Sequence, residues 1–481
     1  LWTGLWKVIN RLSKAFFYSI KSIYLGPHKV PAYASKQSPT WWGYLRVAYT
    51  KTQESIEMME NLSSQNKPEE PVALPSREQM AWQDLELGMF CHFGINTFCD
   101  QEWGEGGDSP AVFNPLELDA RQWVSTAKEA GFRYFILTAK HHDGFCLWPT
   151  ATSTYSVASS PWKEGRGDVV KECAEACREL GVGFGIYLSP WDRHEPCYAD
   201  PQAYDDFYAL QLQELLTGYG PLTEIWFDGA GSEGRNYDWR RIMDLIKLHQ
   251  PSAMVFNMGA PTIRWVGNED GVAPYPCWNT ANSARGSMFS EASLNWLPGT
   301  PKWVPAECDV PIRKDRWFWH PEEEHLLLSL EQLMDIYYRS VGHGATLLLN
   351  VAPDNRGLFP EADVQRLLEF GKEIKLRFGK ALAVTAGTGD LIELELPTAA
   401  VIDHAEMMED IAYGERVEGY VLEAYSNGEW LELKRGSAIG HKKIDAFPPV
   451  CAEKLRLRVT EASASPEIRR LAVYHSGETL E

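Results

Sequence analysis

Leu222-Thr223-Glu224-Ile225-Trp226-Phe227-Asp228-Gly229 is a short apolar run that stops on an acid. Bulky side chains at Ile225, Trp226 and Phe227 suit a strand buried on both faces, and the glycine after the aspartate marks the turn where such a strand leaves its sheet. A carboxylate at the C-terminal end of a parallel strand stands where barrels of the α/β class place their chemistry. On this stretch alone Asp228 reads either as a nucleophile or as a loop cap.

Working outward, strand-like and helical runs alternate from Leu87 onward, the pattern of repeated βα units. The spacing predicts strands over 88–96, 134–139, 182–188, 225–227, 254–257, 303–306 and 346–351. It predicts helices over 120–130, 168–180, 205–217, 239–249, 326–341 and 360–376. Trp- and Pro-rich sequence from 261 to about 321 reads as long site-forming loops. Seven or eight such units predict a (β/α)8-like barrel over 77–383. After Val384 the pattern changes to short alternating strands (391–396, 418–424, 430–434, 455–459 and 470–474) separated by turns such as Ser426-Asn427-Gly428, which predicts an antiparallel β-sandwich over 384–481.

Residues 1–76 differ in composition from the rest. The first 53 carry eight Lys or Arg and no acid, with Trp2, Leu5, Val8, Leu12, Phe16, Ile20 and Ile23 at helical spacing. This segment reads as a membrane-surface or partner-binding helix or, more simply, as an extension outside the natural protein, since the chain opens on Leu1 and Met58, Met59 or Met80 could lie nearer its start. Residues 61–76 read as a linker.

A net charge of −20 disfavours nucleic acid and anionic membranes as partners and points to a neutral substrate. Nineteen Trp, twenty Tyr and nineteen Phe supply rings that can stack on the apolar faces of sugars, although a large core accounts for most of them. Nine cysteines without paired spacing predict neither a disulfide framework nor a structural metal, and Cys173 and Cys177 read as core packing. No apolar run is long enough for a membrane span and none reads as a secretory signal, so a reducing, cytoplasmic setting is expected.

Other candidate groups gather at the predicted strand ends. The second strand runs into Lys140-His141-His142-Asp143-Gly144-Phe145. Adjacent histidines could hold a metal, but strand neighbours point to opposite faces and a catalytic metal needs about three ligands, so polar contacts to a sugar are the better reading. The first strand carries His92 and is followed by Glu102-Trp103, an acid beside an apolar platform; Tyr187 lies near the end of the third. Each has a plain core reading when taken singly.

In that order along the chain, His92, Glu102-Trp103, His141-His142-Asp143-Gly144-Phe145, Tyr187 and Trp226-Phe227-Asp228-Gly229 resemble the α-L-fucosidases of glycoside hydrolase family 29. The resemblance covers roughly residues 70–380. It implies a retaining exo-fucosidase that needs no metal or other cofactor and acts on a fucosylated oligosaccharide or glycoconjugate. Asp228 would attack the anomeric carbon, and His92, Glu102, Trp103, His141, His142, Tyr187 and Trp226 would line the fucose pocket. Retention requires a second carboxyl group about 5–5.5 Å from the first. Glu269 is chosen because Trp265-Val266-Gly267-Asn268-Glu269 resembles the run found in the subgroup specific for α-1,3/1,4-branched fucose; Glu307 is the main rival, ahead of Glu291 and Asp270. Trp317 and Trp319 are expected to close over the C5 methyl group. The alternatives are a broader fucosidase that includes α-1,2 linkages and a fucose-binding, lectin-like protein.

Overall fold

The computed structural model describes residues 73–232, 234–281 and 302–477. The basic segment, most of the linker and Glu291 lie outside them. Eight parallel strands form the first sheet: β1 Leu87–Cys91, β2 Tyr134–Lys140, β3 Gly183–Leu188, β4 Glu224–Trp226, β5 Met254–Phe256, β6 Arg264–Trp265, β7 Ala306–Pro311 and β8 Thr346–Asn350. Their order is β5-β4-β3-β2-β1-β8-β7-β6, and a parallel bridge from Phe256 to Ile263 joins the two ends into a ring. The expected barrel is present.

Strand alternation divides its apolar residues between two cores. Phe90, Ile136, Tyr187, Trp226, Phe256 and Leu348 pack inside the ring. Met89, Leu137, Ile186, Ile225, Val255 and Leu349 face the surrounding helices. Because both faces are buried, these strands read as nearly continuous apolar runs. The helix Val169–Leu180 shows how the outer layer is fixed: Asp168 accepts from the Lys171 N–H at its start, and Gly181 ends it in the left-handed region (φ 68°). Cys173 and Cys177 lie on its buried face, both as free thiols. The helix Arg77–Gln83 closes the N-terminal end of the barrel, where Gln79 Nε2 donates to the Thr262 and Trp303 carbonyls (2.8 Å each) and Trp82 Nε1 to Glu224 (2.9 Å).

Three strands depart from expectation, the first being β6, Arg264–Trp265, which lies in sequence expected to form loops. β1 ends at Cys91, and the chain turns into a short helix over Ile95–Cys99, which leaves His92 just beyond the strand. The strand expected at 303–306 is instead β7, Ala306–Pro311, while Lys302–Trp303 pairs with Thr280–Ala281. β7 carries Glu307 and Asp309 into the barrel, and acids at inward positions hide a strand from any apolar pattern.

The C-terminal region is antiparallel. Its strands are β9 Ala383–Thr388, β10 Leu391–Glu409, β11 Val417–Ser426, β12 Glu429–Gly436, β13 Lys443–Ala462 and β14 Glu467–Tyr474, laddered in the order β9-β14-β10-β13-β11-β12. Ile392, Leu394, Leu422, Leu455, Leu457 and Leu471 belong to its core. Only the first half of β10 alternates visibly; from Ile402 to Met408 every residue is buried. That half packs on the barrel, where His404 stacks on Tyr338 (5.5 Å, 15°) and Arg470 and Lys442 pair with Glu406. Burial on both faces removes the period of two. Among the described residues no helix is long and apolar enough to cross a membrane.

Candidate functional site

The C-terminal ends of the barrel strands surround a cavity of about 600 Å³, within the range of small-molecule sites. Asp228 stands on its wall two residues past the end of β4. Its Oδ1 accepts from the Ala230 N–H (2.9 Å) and its Oδ2 from the Tyr187 hydroxyl (3.0 Å), with His142 Nε2 3.4 Å from Oδ2. Burial would raise this carboxyl, but the contacts from His142, the Ala230 amide and Tyr187 outweigh it and hold the acid below its ordinary range. Asp228 is therefore kept ionised. Tyr187 is wholly buried behind it and does not reach the cavity wall, so this residue, expected to line the pocket, instead supports the acid from behind.

Three imidazoles form the adjoining wall. His92, His141 and His142 are buried, with ring centroids 5.6 Å apart for the first pair and 4.2 Å for the second. His142 Nδ1 lies 2.7 Å from Ser189 Oγ, which turns its own proton to the Trp191 carbonyl (2.7 Å) and so accepts from the ring. Burial pushes His92 down to about 3 despite its bond to Asn350, and pushes His141 well below its usual range. Both are neutral at physiological pH. Asn350, at the end of β8, donates its amide N–H to the Trp317 carbonyl (2.8 Å), so its Oδ1 is the acceptor for His92 Nδ1 (2.8 Å) and the His92 backbone N–H (3.1 Å). That places the His92 proton on Nδ1 and leaves Nε2 as a lone-pair acceptor for a ligand hydroxyl.

Glu102 and Trp103 come from the loop after β1. Glu102 Oε2 accepts from the backbone N–H groups of Trp317 (3.0 Å) and Phe318 (3.4 Å), and its Oε1 meets His320 Nε2 (2.7 Å). Burial alone would lower His320, but its bonds to Asp100 and Glu102 raise it above the usual histidine range. Glu102 thus joins the first loop to the segment carrying Trp317. Trp103 is half exposed on the cavity wall, edge-on to His142 (5.2 Å) and to Trp191 (5.7 Å). Trp317 lines the cavity, whereas Trp319 is not among its lining residues.

Three further acids, Glu269, Asp309 and Asp315, share this wall. Glu269, on the loop after β6, accepts from Trp317 Nε1 (3.3 Å). Its carboxyl is raised above the ordinary value by burial, against the Trp317 bond, with the charges of Asp228, Asp270 and Asp315 adding to the rise. Asp309 on β7, nearly buried, accepts from Trp265 Nε1 (2.8 Å) and is raised well above its ordinary value by burial and by the charges of Glu269 and Glu307. Glu307 is placed elsewhere. It is fully buried inside the barrel, bonded to the Tyr134 hydroxyl (2.7 Å) and Trp226 Nε1 (3.0 Å), and is not part of the cavity wall. Asp270 also lies off the wall.

The cavity thus brings together Asp228, Glu269, His92, Glu102, Trp103, His141, His142, Trp226 and Trp317. Sequence reading missed Asn350 and Asp309. An acid two residues after Glu307 on a strand carried the needed parity, but the strand itself was not recognised. Asn350 had no local signal, because its partners lie 258 and 33 residues away. A carboxyl lowered below its ordinary range, a second raised above it, neutral imidazole acceptors and the indoles of Trp103 and Trp317 together suit a polyhydroxylated substrate cleaved by acid–base and nucleophilic chemistry.

Comparison with known proteins agrees with this chemistry. Residues 107–377 match the family model described as alpha-L-fucosidase. Alpha-L-fucosidase 1 of Arabidopsis thaliana is 40% identical over 465 residues, covering 87% of this chain and 91% of that protein. Among solved structures, a glycoside hydrolase 29 family member from an unknown rumen bacterium is 40% identical with a TM-score of 0.78, covering 86% of this chain and 79% of that one. A Ruminococcus gnavus GH29 fucosidase solved in complex with fucose is 30% identical with a TM-score of 0.74, covering 86% and 97%.

Proposed function

This chain belongs to the α-L-fucosidases of glycoside hydrolase family 29, and from that premise we propose that it removes terminal α-1,3/1,4-linked L-fucose from glycans with retention of configuration. Asp228 is the nucleophile and Glu269 the acid/base. The observation that carries this reading is that two acids in opposite settings share one cavity wall: Asp228 accepts from Tyr187 and the Ala230 N–H, which holds it below the ordinary carboxyl range, while Glu269 has the Trp317 indole as its donor and burial raises it.

In the first step Asp228 Oδ attacks the anomeric carbon as the bond from that carbon to the aglycone oxygen breaks, and Glu269 gives its proton to the departing oxygen. The ester removes the charge on Asp228 that helped keep Glu269 protonated. Glu269, now ionised, takes a proton from water while the water oxygen attacks the anomeric carbon, the ester bond breaks, and the Asp228 carboxylate returns. His92 Nε2 accepts from a fucose hydroxyl, Glu102 and the other imidazoles supply further polar contacts, and Trp103 and Trp317 offer apolar faces. Preference for branched linkages is supported by the Trp265–Glu269 run.

The test compares wild type, Asp228→Ala and Glu269→Ala on a Lewis-type fucosylated trisaccharide, an α-1,2-fucosylated trisaccharide and an aryl α-L-fucoside. Azide should restore turnover to Glu269→Ala on the aryl substrate and give β-fucosyl azide. Full activity in Glu269→Ala would overturn the acid/base assignment. Equal turnover of both trisaccharides would overturn the linkage preference.

A further inference from the structure

Glu224 and Glu307 lie inside the barrel below the cavity, both with no exposed surface, and neither forms an ion pair with Lys or Arg among the described residues. Glu307 has donors on both oxygens: Trp226 Nε1 on Oε1 (3.0 Å) and the Tyr134 hydroxyl on Oε2 (2.7 Å). Glu224 Oε2 accepts from Trp82 Nε1 (2.9 Å), but its buried Oε1 has no donor at all. The two carboxyl groups act on each other inside the barrel, and burial raises both above the ordinary range, Glu224 well above it with the charge of Glu307 adding to the rise and Glu307 only to about 7, held down by its bonds from Tyr134 and Trp226.

Two adjacent carboxylates without a cation cannot both stay ionised in a low-dielectric interior. One proton resolves the accounting. Placed on Glu224 Oε1, it turns an orphaned acceptor into a donor to Glu307, which then accepts three bonds as an anion. Placed on Glu307, it would have to share an oxygen already facing an N–H or O–H donor. The held indole belongs to the cavity wall: Trp226 stacks on Phe256 (4.1 Å, 9°) and on Tyr187 (5.4 Å, 23°), and the Tyr187 hydroxyl donates to Asp228.

We propose that Glu224 carries the single proton of this pair and that ionised Glu307 is a positioning residue for the sugar pocket, fixing Trp226 by its indole N–H and, through the Trp226–Tyr187 stack, the hydroxyl that orients Asp228. This role rests on the fucosidase reading above; the location of the proton does not. Glu224→Gln preserves every bond, because its amide N–H replaces the acid O–H toward Glu307 and its oxygen still accepts from Trp82. Glu307→Gln cannot do the same, since one neutral amide oxygen replaces two charged ones.

Infrared spectra in deuterated buffer at neutral pH test the proton. Glu224→Gln should remove one carboxylic C=O absorption present in the wild type, keep its thermal midpoint and hold kcat/KM on an aryl α-L-fucoside within about twofold. Glu307→Gln should lower kcat/KM about tenfold, the loss expected when a hydrogen bond to an ionised group is weakened. That loss should largely vanish in a Trp226→Phe background, where there is no indole N–H to hold. An infrared band unchanged by Glu224→Gln, or failure of that variant to fold, overturns the proton assignment, and these readouts decide the matter even if Glu307→Gln does not fold. An equal Glu307→Gln loss in both backgrounds overturns the positioning role. A wild type inactive on every fucoside would defeat the functional reading while leaving the infrared result standing.

Discussion

Replacing Asn350 with Leu removes one side chain of similar shape from between two parts of the pocket. Asn350 is 1% exposed and makes three hydrogen bonds, to the His92 N–H, to His92 Nδ1 and to the Trp317 carbonyl. The stability cost comes from the groups left behind. A buried polar group deprived of its partner costs about 1–3 kcal/mol, and because Trp317 is only half-buried its carbonyl can turn to water, so about 2–4 kcal/mol in total is expected. The effect on catalysis is separate. With Nδ1 no longer tied to an acceptor, the His92 proton is free to sit on Nε2, which then presents a donor where the sugar hydroxyl needs an acceptor. Losing that bond and leaving a mismatched pair should cost about 2 kcal/mol, or roughly 30-fold in kcat/KM. The assay is hydrolysis of an aryl α-L-fucoside, run beside thermal unfolding so that the folded fraction is known. A folded Asn350→Leu protein with kcat/KM within about threefold of wild type would show that the His92 tautomer does not matter to substrate, and the reasoning about Asn350 would fail.

The pH profile of kcat/KM should be bounded by Asp228 on the acid side and Glu269 on the alkaline side. Tyr187→Phe removes a donor that lowers Asp228, so its acid limb should move to higher pH; Trp317→Phe removes a donor that lowers Glu269, so its alkaline limb should also move up, and movement of either limb the other way counts against the assignment. Lys140 Nζ meets Asp192 (2.8 Å) and Gln211 (3.0 Å) in the interior, so Lys140→Met leaves a buried charge unpaired and should cost about 3–5 kcal/mol by denaturant unfolding, much of it recovered in Lys140→Met/Asp192→Asn. Asp84 is lowered to about 2, first by its bond to His441 and also by Arg469, against burial. Its stabilising contribution is complete above the ordinary value of 3.8 and is lost as pH falls toward 2, so Asp84→Asn should flatten the fall in stability over that window, read from thermal midpoints.

Much of the barrel was legible because a strand buried on both faces needs apolar residues at nearly every position, as in Tyr134–Ala139 and Ile225–Phe227. The surrounding helices were legible from their buried stripe, as at Val169, Val170, Cys173 and Cys177. Where burial and apolarity part company the reading slipped. β7 is buried along its whole length yet carries Glu307 and Asp309, and the second half of β10 carries Asp403, His404 and Glu406 into buried positions. Apart from the contact between the neighbours Asp403 and His404 (2.7 Å), their polar groups are satisfied by residues far along the chain, which no local window contains.

The same division runs through the site. By itself the sequence determined which residues arrive at the strand ends, because a strand's length and the turn after it are local properties: Asp228 after β4, His141 and His142 after β2, Glu102 and Trp103 after β1. It left Glu269 and Glu307 as rivals, the first on the resemblance of the Trp265–Glu269 run and the second because it could sit at a strand end. Only the tertiary structure gives them different places. A strand residue's parity sends Glu307 into the closed interior, where Tyr134 and Trp226 occupy its oxygens, while Glu269 rides a loop onto the cavity wall within the field of Asp228. The proton balance of each acid depends on how deeply it is buried and on which charges and donors surround it, and those are set by the packing of segments distant in the chain.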